Sequence, residues 1–407
     1  MKKLFLTFCT LAALGLAACG GNGGGSSGID DSGEYAITVW CPEAAVELTT
    51  AQLNKFQADH ADKYTLHFNV QPVSEGNAAG NMATDVEAGA DIYFFAQDQL
   101  ARLVKAGAIA KLGGSIASSV ESMNDAGSVS AAKANNQLYA FPLTSDNGYF
   151  MYYNKDIVTD PTDMTKIIAD VKAASKQISF TLGKDGGWYN ASYFFAAGCT
   201  SDWVADVDGT LTLERDTYNS EAGLKAVAAM DELIGSGIYA NSSSASDLAS
   251  NAAVVISGTW DTNAAHQALG EKLGVAELPY VNLGGEKVHL GSFAGYKLLG
   301  VKPQTNAKKA SVCNKLALYL TGEECQHQRF SQLGWGPSNK VDQETDTSVE
   351  LQALARQNVY SKVQGQFPNG WWTAAAAIGT DIQNLTSHTT ADYQKILDDY
   401  SAAVAEI

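Results

Sequence analysis

From residue 36 onward the chain alternates between short apolar runs of strand length and stretches whose apolar residues recur three and four apart. Residues 36–41 (AITVWC) read as a strand, and Val46, Thr49, Leu53 and Phe56 follow at helical spacing. Residues 64–70 alternate as a strand does, 77–88 read as a helix, 91–96 (DIYFFA) as a buried strand, and a helix carrying Leu100, Leu103 and Val104 comes next. This rhythm constrains the fold more than any other feature. Parallel strands cannot be joined by a tight turn, so a helix must carry the chain back, and the expected body is α/β with a mostly parallel sheet covered by helices.

The pattern then continues. Strands are expected at 137–143 and 148–153, a helix near 162–175, a strand at 178–182 and a helix near 190–197. Residues 206–210 (DVDGT) read as a hairpin turn, since the other ligands of a calcium loop are missing around the Asp-x-Asp-Gly fragment. A helix near 219–234 and strands at 252–257 and 296–301 follow, then helices near 306–320 and 323–332. Tyr393, Ile396, Leu397, Tyr400 and Val404 form one apolar stripe that reads as core packing. A body this long exceeds what one hydrophobic core supports, so two domains are expected.

The N-terminus has a different character. Met1-Lys2-Lys3 precedes an apolar stretch ending in Leu16-Ala17-Ala18-Cys19. A basic start, a short apolar segment and small residues have the anatomy of a secretory signal over 1–18. Leu-Ala-Ala-Cys resembles a bacterial lipobox, in which Cys19 receives lipid and becomes the first mature residue. Residues 20–28 (GGNGGGSSG) have no side chains worth burying and read as a flexible leash, so 19–34 form a lipid-anchored linker.

The net charge of −17 becomes more negative once Lys2 and Lys3 are removed. An acidic body repels nucleic acid and anionic surfaces and is compatible with a neutral ligand. Cys41, Cys199, Cys313 and Cys325 have no CxxC spacing, which argues against a zinc site. Cys313 and Cys325 are candidates for a disulfide, or all four are buried thiols.

Six histidines include no HExxH pair, and no nucleophile elbow, Walker loop or dinucleotide fingerprint is present. No catalytic residue, metal or cofactor is therefore expected. A glycoside hydrolase or lyase stays open as a competing class, because paired carboxylates meet in space rather than in sequence. Aromatic and polar residues are conspicuous just past strand ends: Trp40 with Glu43 and Glu47, Phe95 with Gln97 and Asp98, and Asp146 with Asn147 and Tyr149. Trp188, Tyr189 and Asn190 follow in a Gly-rich loop, then Trp260 with Asp261, and Trp371 with Trp372. Ligands of open α/β sheets bind outside the carboxyl ends of strands. These residue types suit a sugar, whose C–H faces pack on aromatic rings and whose hydroxyls donate to carboxylates and amides. One of Trp371 and Trp372 is expected in the core.

Several segments carry a family resemblance: ITVWCPE (37–43), GADIYFFAQDQL (89–100), YAFPLTSDNGYFMYYNKD (139–156), AVVISGTWD (253–261), LGSFAGYKLLGV (290–301), LGWGPSNK (333–340) and the Trp371-Trp372 pair. The chain resembles the extracellular solute-binding lipoproteins of carbohydrate ABC transporters, specifically the maltose/maltodextrin-binding group. The resemblance implies a two-lobed periplasmic-binding-protein fold with hinge-linked discontinuous lobes. Residues 35–144 plus 296–333 would form the N-lobe and 149–290 plus 339–407 the C-lobe, with crossings near 144–148, 291–295 and 334–338. It also implies Asp98 as a hydroxyl partner, and Tyr189, Trp260 and Trp371 or Trp372 as stacking platforms. Asp146 or Asn147 matches an acidic position. Phe95 stands where a tryptophan is usual and Gln99 where an arginine is common, while Glu43 substitutes for part of an acidic-lysine pair after Trp40. The implied partners are an oligosaccharide, such as maltodextrin or a different neutral sugar, and the permease subunits of an ABC importer. The implied protein is a monomer, outside the cytoplasm and lipid-anchored to the bacterial cell membrane.

Overall fold

The computed structural model describes residues 29–206 and 210–407. The leader, Cys19, the leash and the turn at 207–209 lie outside the described residues. The chain divides into Met1–Asp30 and a compact body, Asp31–Ile407.

Two five-stranded sheets, among the described residues, organise the body. The first runs in the order Tyr64–Pro72, Gly33–Cys41, Ile92–Ala96, Lys297–Val301, Ala140–Thr144. Its first three strands are parallel, and Lys297–Val301 runs antiparallel between its two neighbours. The second has the order Tyr239–Ala240, Gln177–Ser179, Ala252–Ser257, Phe150–Asn154, Leu273–Ala276. Central strands are buried along their whole length, as expected where helices cover both faces. Helix Val46–Asp59 buries Leu48, Thr49, Gln52, Leu53 and Phe56, the face its spacing predicts. Helix Thr390–Ala405 buries Ile396, Leu397, Tyr400 and Val404 and starts at a capping box between Thr389 and Asp392.

Each sheet has its own core. One gathers residues from Ile37 to Leu143 and from Leu298 to Trp335. The other gathers Tyr149 to Phe293 and Trp371 to Val404, with a smaller cluster on the opposite face that includes Phe150, Val255 and Leu354. The chain therefore passes between cores after Leu143, after Phe293 and after Trp335. A short parallel ladder, Ser292–Ala294 with Ser361–Val363, lies at the second passage.

Several elements differ from the sequence reading for local reasons. The expected 77–88 helix is Glu75–Thr84, because Asp85 leaves helical geometry and a turn returns Gly89 N–H to Asp85 C=O. The expected 137–143 strand breaks at Tyr139: Gln137–Leu138 pairs with Lys133–Ala134, while Ala140–Thr144 joins the main sheet. The 178–182 strand is only Gln177–Ser179, since Leu182 N–H turns back to Phe180 C=O before a helix that starts at Gly187. Helices Gly114–Met123 and Val349–Asn358 are absent from the sequence reading, although the first carries Ile116, Val120 and Met123 on one face among small polar residues and buries only Val120 of them. The turn strands at Ser201–Ala205 and Leu211–Asp216 do pair antiparallel. Cys41, Cys199, Cys313 and Cys325 are buried free thiols.

Asp31 anchors the first strand. Its carboxylate accepts from Tyr64, Ser311 and Lys315 at 3.0, 2.6 and 2.6 Å and pairs with Lys63 at 2.8 Å. Burial alone would raise its pKa, but the hydrogen bonds from Lys315, Lys63, Ser311 and Tyr64 outweigh it and hold the carboxyl well below the usual range. With a depressed folded-state value, the stabilisation is fully present above the unfolded carboxyl pKa of about 4 and fades as pH falls through the folded value. Asp31→Asn should therefore cost about 2–3 kcal/mol at pH 7, the range for breaking a buried pair whose lysines stay partly solvated. Thermal unfolding should show that loss, and show the gap to the parent closing in acid; an unchanged melting temperature at pH 7 would refute the anchor.

Candidate functional site

Sheet register brings the polar groups together. Strand Ile92–Ala96 runs into a single 3-10 turn, Gln97–Gln99, whose three side chains are all buried. Two of these amides serve the scaffold. Gln97 accepts from Tyr296 N–H at 2.7 Å and donates to Gln364 C=O at 2.6 Å. Gln99 accepts from Ala79 N–H at 3.2 Å and donates to Gly76 C=O at 2.9 Å. Asp98 between them is different. Its Oδ1 is buried with no hydrogen-bond partner, and burial pushes its carboxyl up to about 7 against the opposing pull of Arg102.

Lys297 sits opposite Ala96 in the ladder, so its ammonium reaches the same strand edge. It lies 3.4 Å from Glu75 Oε1, near enough for an ion pair though not for a hydrogen bond. The same Nζ is 4.6 Å from the Trp335 ring centre and 5.2 Å from that of Trp260. A cation held over two indole faces is stabilised by their quadrupoles while it is shielded from water.

The second half of the body supplies three of the rings, while Trp335 belongs to the first core. Strand Ala252–Ser257 ends at Gly258, and a 3-10 turn, Thr259–Asp261, presents Trp260. A Cβ at position 258 would stand 2.2 Å from the Trp260 ring, so only glycine admits this conformation. Asp261 fixes the turn by accepting from Ser257 Oγ at 2.7 Å and Ala245 N–H at 3.0 Å. Trp188 stands in the first turn of helix Gly187–Ala196, 5.8 Å from Trp260 between ring centres, and its Nε1 donates to Gln364 Oε1 at 2.8 Å. The helix start packs closely on the next ring-bearing segment, where a Cβ on Gly187 would meet Trp372 C=O at 2.5 Å.

These groups surround one cavity of about 620 Å³. Its acidic residues are Glu43, Glu75 and Asp98, its cations Arg102 and Lys297, its amides Gln99, Asn147, Gln364 and Asn369, and its rings Trp188, Trp260, Trp335 and Trp372. The size and the mix of apolar wall with a few convergent polar groups fit a small-molecule site. The two sides meet at its rim, where Arg102 donates to Asn369 Oδ1 at 2.6 Å and Ala101 N–H to Gln366 Oε1 at 2.7 Å.

Of the residues singled out from sequence, Glu43, Asp98, Asn147, Trp260 and Trp372 line this cavity. The structure places the others elsewhere. Trp40 stays half-buried on its strand with Nε1 on Gln71 Oε1 of the neighbouring strand, while the cavity wall starts two residues later at Pro42. Phe95 is sealed in the first core, since the alternation of a doubly covered strand points it inward opposite Leu298. Asp146 is buried as a tie: its Oδ2 accepts from Thr259 Oγ1 and from Gly336 N–H at 2.7 Å. Tyr189 packs beneath Trp188 between Tyr149 and Phe180, as the next residue on a helix turns about 100° away. The same rotation separates the tryptophan pair. Trp371 is fully buried, donates to Tyr400 Oη at 3.0 Å and stacks on Phe367 at 4.2 Å, while Trp372 faces the cavity.

Sequence reasoning does not assign Glu75, Arg102, Lys297, Trp335, Gln364 or Asn369. Arg102 has a signal, lying one helical turn after Asp98. Trp188 and Gln99 stand out in sequence without being marked as contacts.

The model of the bacterial extracellular solute-binding protein family matches residues 51–356. Among solved structures, one described as solved with acarbose is 27% identical with a TM-score of 0.79, covering 92% of this chain and 99% of that one. The maltodextrin-binding protein MalE1 from L. casei BL23, solved without ligand, is 19% identical with a TM-score of 0.75, covering 92% and 100%. The maltose-maltodextrin binding protein of Alicyclobacillus acidocaldarius is 18% identical with a TM-score of 0.75, covering 91% and 100%. No curated protein sequence matches the chain.

The raised carboxyl of Asp98 makes stability depend on pH. The folded state keeps its proton where the unfolded chain has lost it, so stability from this group is full below about pH 4 and is lost as pH rises through about 7. Asp98→Asn removes that dependence. In the absence of ligand the variant should gain on the parent by about 4 kcal/mol between pH 4 and 8, a shift of about three units at 1.36 kcal/mol each. Parallel melting curves across that range would refute the assignment.

Proposed function

The chain belongs to the bacterial extracellular solute-binding protein family, and from that premise we propose that it captures an oligosaccharide of the maltose/maltodextrin type and delivers it unaltered to the permease subunits of an ABC importer. One observation carries the reading: tryptophans from one core face a buried, partnerless carboxylate oxygen and an ion pair from the other across a single cavity. Trp188, Trp260 and Trp372 offer apolar faces to pyranose rings. Asp98, Glu43 and Glu75 accept from hydroxyls, and Arg102, Lys297 and Asn147 donate to them. Three carboxyls against two cations leave a nearly balanced site, which suits an uncharged polyhydroxylated ligand better than an anion. The solved relatives whose descriptions name acarbose, maltotetraose and maltotriose support the same ligand class.

In this reading 35–144 plus 296–333 form one lobe and 149–290 plus 339–407 the other, with hinges near 144–148, 291–295 and 334–338. A sugar that touches both lobes binds the closed form better than the open one, so it shifts the population toward closure. The closed form then docks on the permease. The basic, apolar leader and Leu-Ala-Ala-Cys support export of a monomer tethered through lipid on Cys19, with residues 19–34 as a leash that raises its concentration near the importer. Among the described residues no helix is long and apolar enough to cross a membrane.

Calorimetry with maltose, maltotriose and a cyclodextrin should show binding, and no heat with any α-glucan would remove the ligand class. Trp260→Ala should weaken the dissociation constant by at least about 1 kcal/mol, the scale of a lost aromatic contact. Oligosaccharide incubated overnight should be recovered intact by chromatography; new products would make the protein a hydrolase or lyase instead.

A further inference from the structure

A second group of ligating side chains lies away from the cavity. His327 belongs to helix Glu323–Leu333, Asp342 to helix Lys340–Thr345, and Asp346 is the residue that ends the latter. One ligating atom from each lies within 4.8 Å of the other two. The two carboxylates are a helical turn apart on the same face, their backbones linked by Asp346 N–H to Asp342 C=O at 2.7 Å. His327 Nδ1 faces both Asp346 oxygens at 2.9 and 3.0 Å.

Two features set this trio apart from a solvated acidic patch. Asp342 is 3% and Asp346 5% exposed. In addition, Asp342 Oδ2 is fully buried with no hydrogen-bond partner. A buried charged oxygen without a partner is costly, and a cation is the group that satisfies it together with a facing carboxylate. Glu323 adds negative potential; Arg329 on the same helix directs its terminal nitrogens to Leu320 C=O and Gln52, leaves its Nε without a partner and offsets part of the negative potential at Asp342.

We propose that His327, Asp342 and Asp346 form a binding site for a divalent first-row transition cation, typified by Zn²⁺. One imidazole nitrogen with two carboxylates is a borderline donor set that suits zinc better than the all-oxygen shell calcium prefers. Ligands about 2.1 Å from a tetrahedral ion are about 3.4 Å apart, so to close on one the His327–Asp346 contact opens slightly from 2.9 Å while Asp342 draws in from within 4.8 Å. A water completes the shell, because His327 is on the open side, its side chain 57% exposed. The cation replaces the proton shared between His327 and Asp346. Its ligands lie on either side of the 334–338 passage between the cores, so binding cross-links the two ends of that segment.

The test is titration of the metal-stripped protein with ZnCl₂ by calorimetry, alongside melting curves with and without the metal. The parent should bind one equivalent and melt higher, and an equal concentration of CaCl₂ should leave the melting temperature unchanged. His327→Ala, at an exposed position that should tolerate the change, should lose both effects. Asp342→Asn should lose the binding, with maltotriose titration reporting separately on its fold and on the sugar site. No zinc binding by the parent overturns the proposal. So does undiminished binding by His327→Ala, which would assign the metal to other surface histidines.

Discussion

The carboxylate of Asp146 holds together segments that sequence separates by almost two hundred residues. It lies where the chain leaves the first core, and its Oδ2 accepts from Thr259, next to Trp260, and from Gly336, next to Trp335. Ser145 N–H reaches Gly336 C=O and Asn147 N–H reaches Gly295 C=O in the same knot. Two rings and two backbone passages are thus located by one buried acid and its neighbours. Hydrogen bonds to a buried charge are among the stronger ones in a protein, and breaking one partner strands the other. The floor of the cavity is therefore firm, although it is built from connections rather than from a continuous sheet.

Above that floor the chemistry is divided. The first core delivers charge through strand ends, with Asp98 after Ala96 and Lys297 opposite it. The second delivers flat apolar surface, with Trp188 and Trp260 held by Gln364 and Asp261. Neither side alone could discriminate a polyhydroxylated ligand from water. Together they exclude solvent on one face and leave a carboxylate oxygen short of a donor on the other. The raised carboxyl of Asp98 records the cost of that arrangement when no hydroxyl is present.

Much of the architecture was readable along the chain. Buried strands such as Ala252–Ser257 and helices such as Val46–Asp59 announce themselves by period and composition. Short helices such as Gly114–Met123 do so less clearly, since the stripe of Ile116, Val120 and Met123 stands among small polar residues and only Val120 of it is buried. The site was readable in part. Asp98 and Trp260 follow strand ends and do line the cavity, and Trp372 was one of an unresolved pair. Phe95 and Tyr189 satisfied the same rule and are packed inward, because the rule locates a residue in sequence without saying which way its side chain turns.

By itself the sequence determined the alternation of strands and helices, the need for two cores and the kind of chemistry gathered past the strand ends. Those properties depend on near neighbours and on residue type, and both are written locally. Which ring of Trp371 and Trp372 meets the cavity, why Asp146 is a tie rather than a contact, and how Lys297 comes to stand beside Asp98 were decided only by the tertiary structure. Each depends on strand register or on the approach of segments far apart in the chain, and a one-residue change in register would turn every side chain to the opposite face.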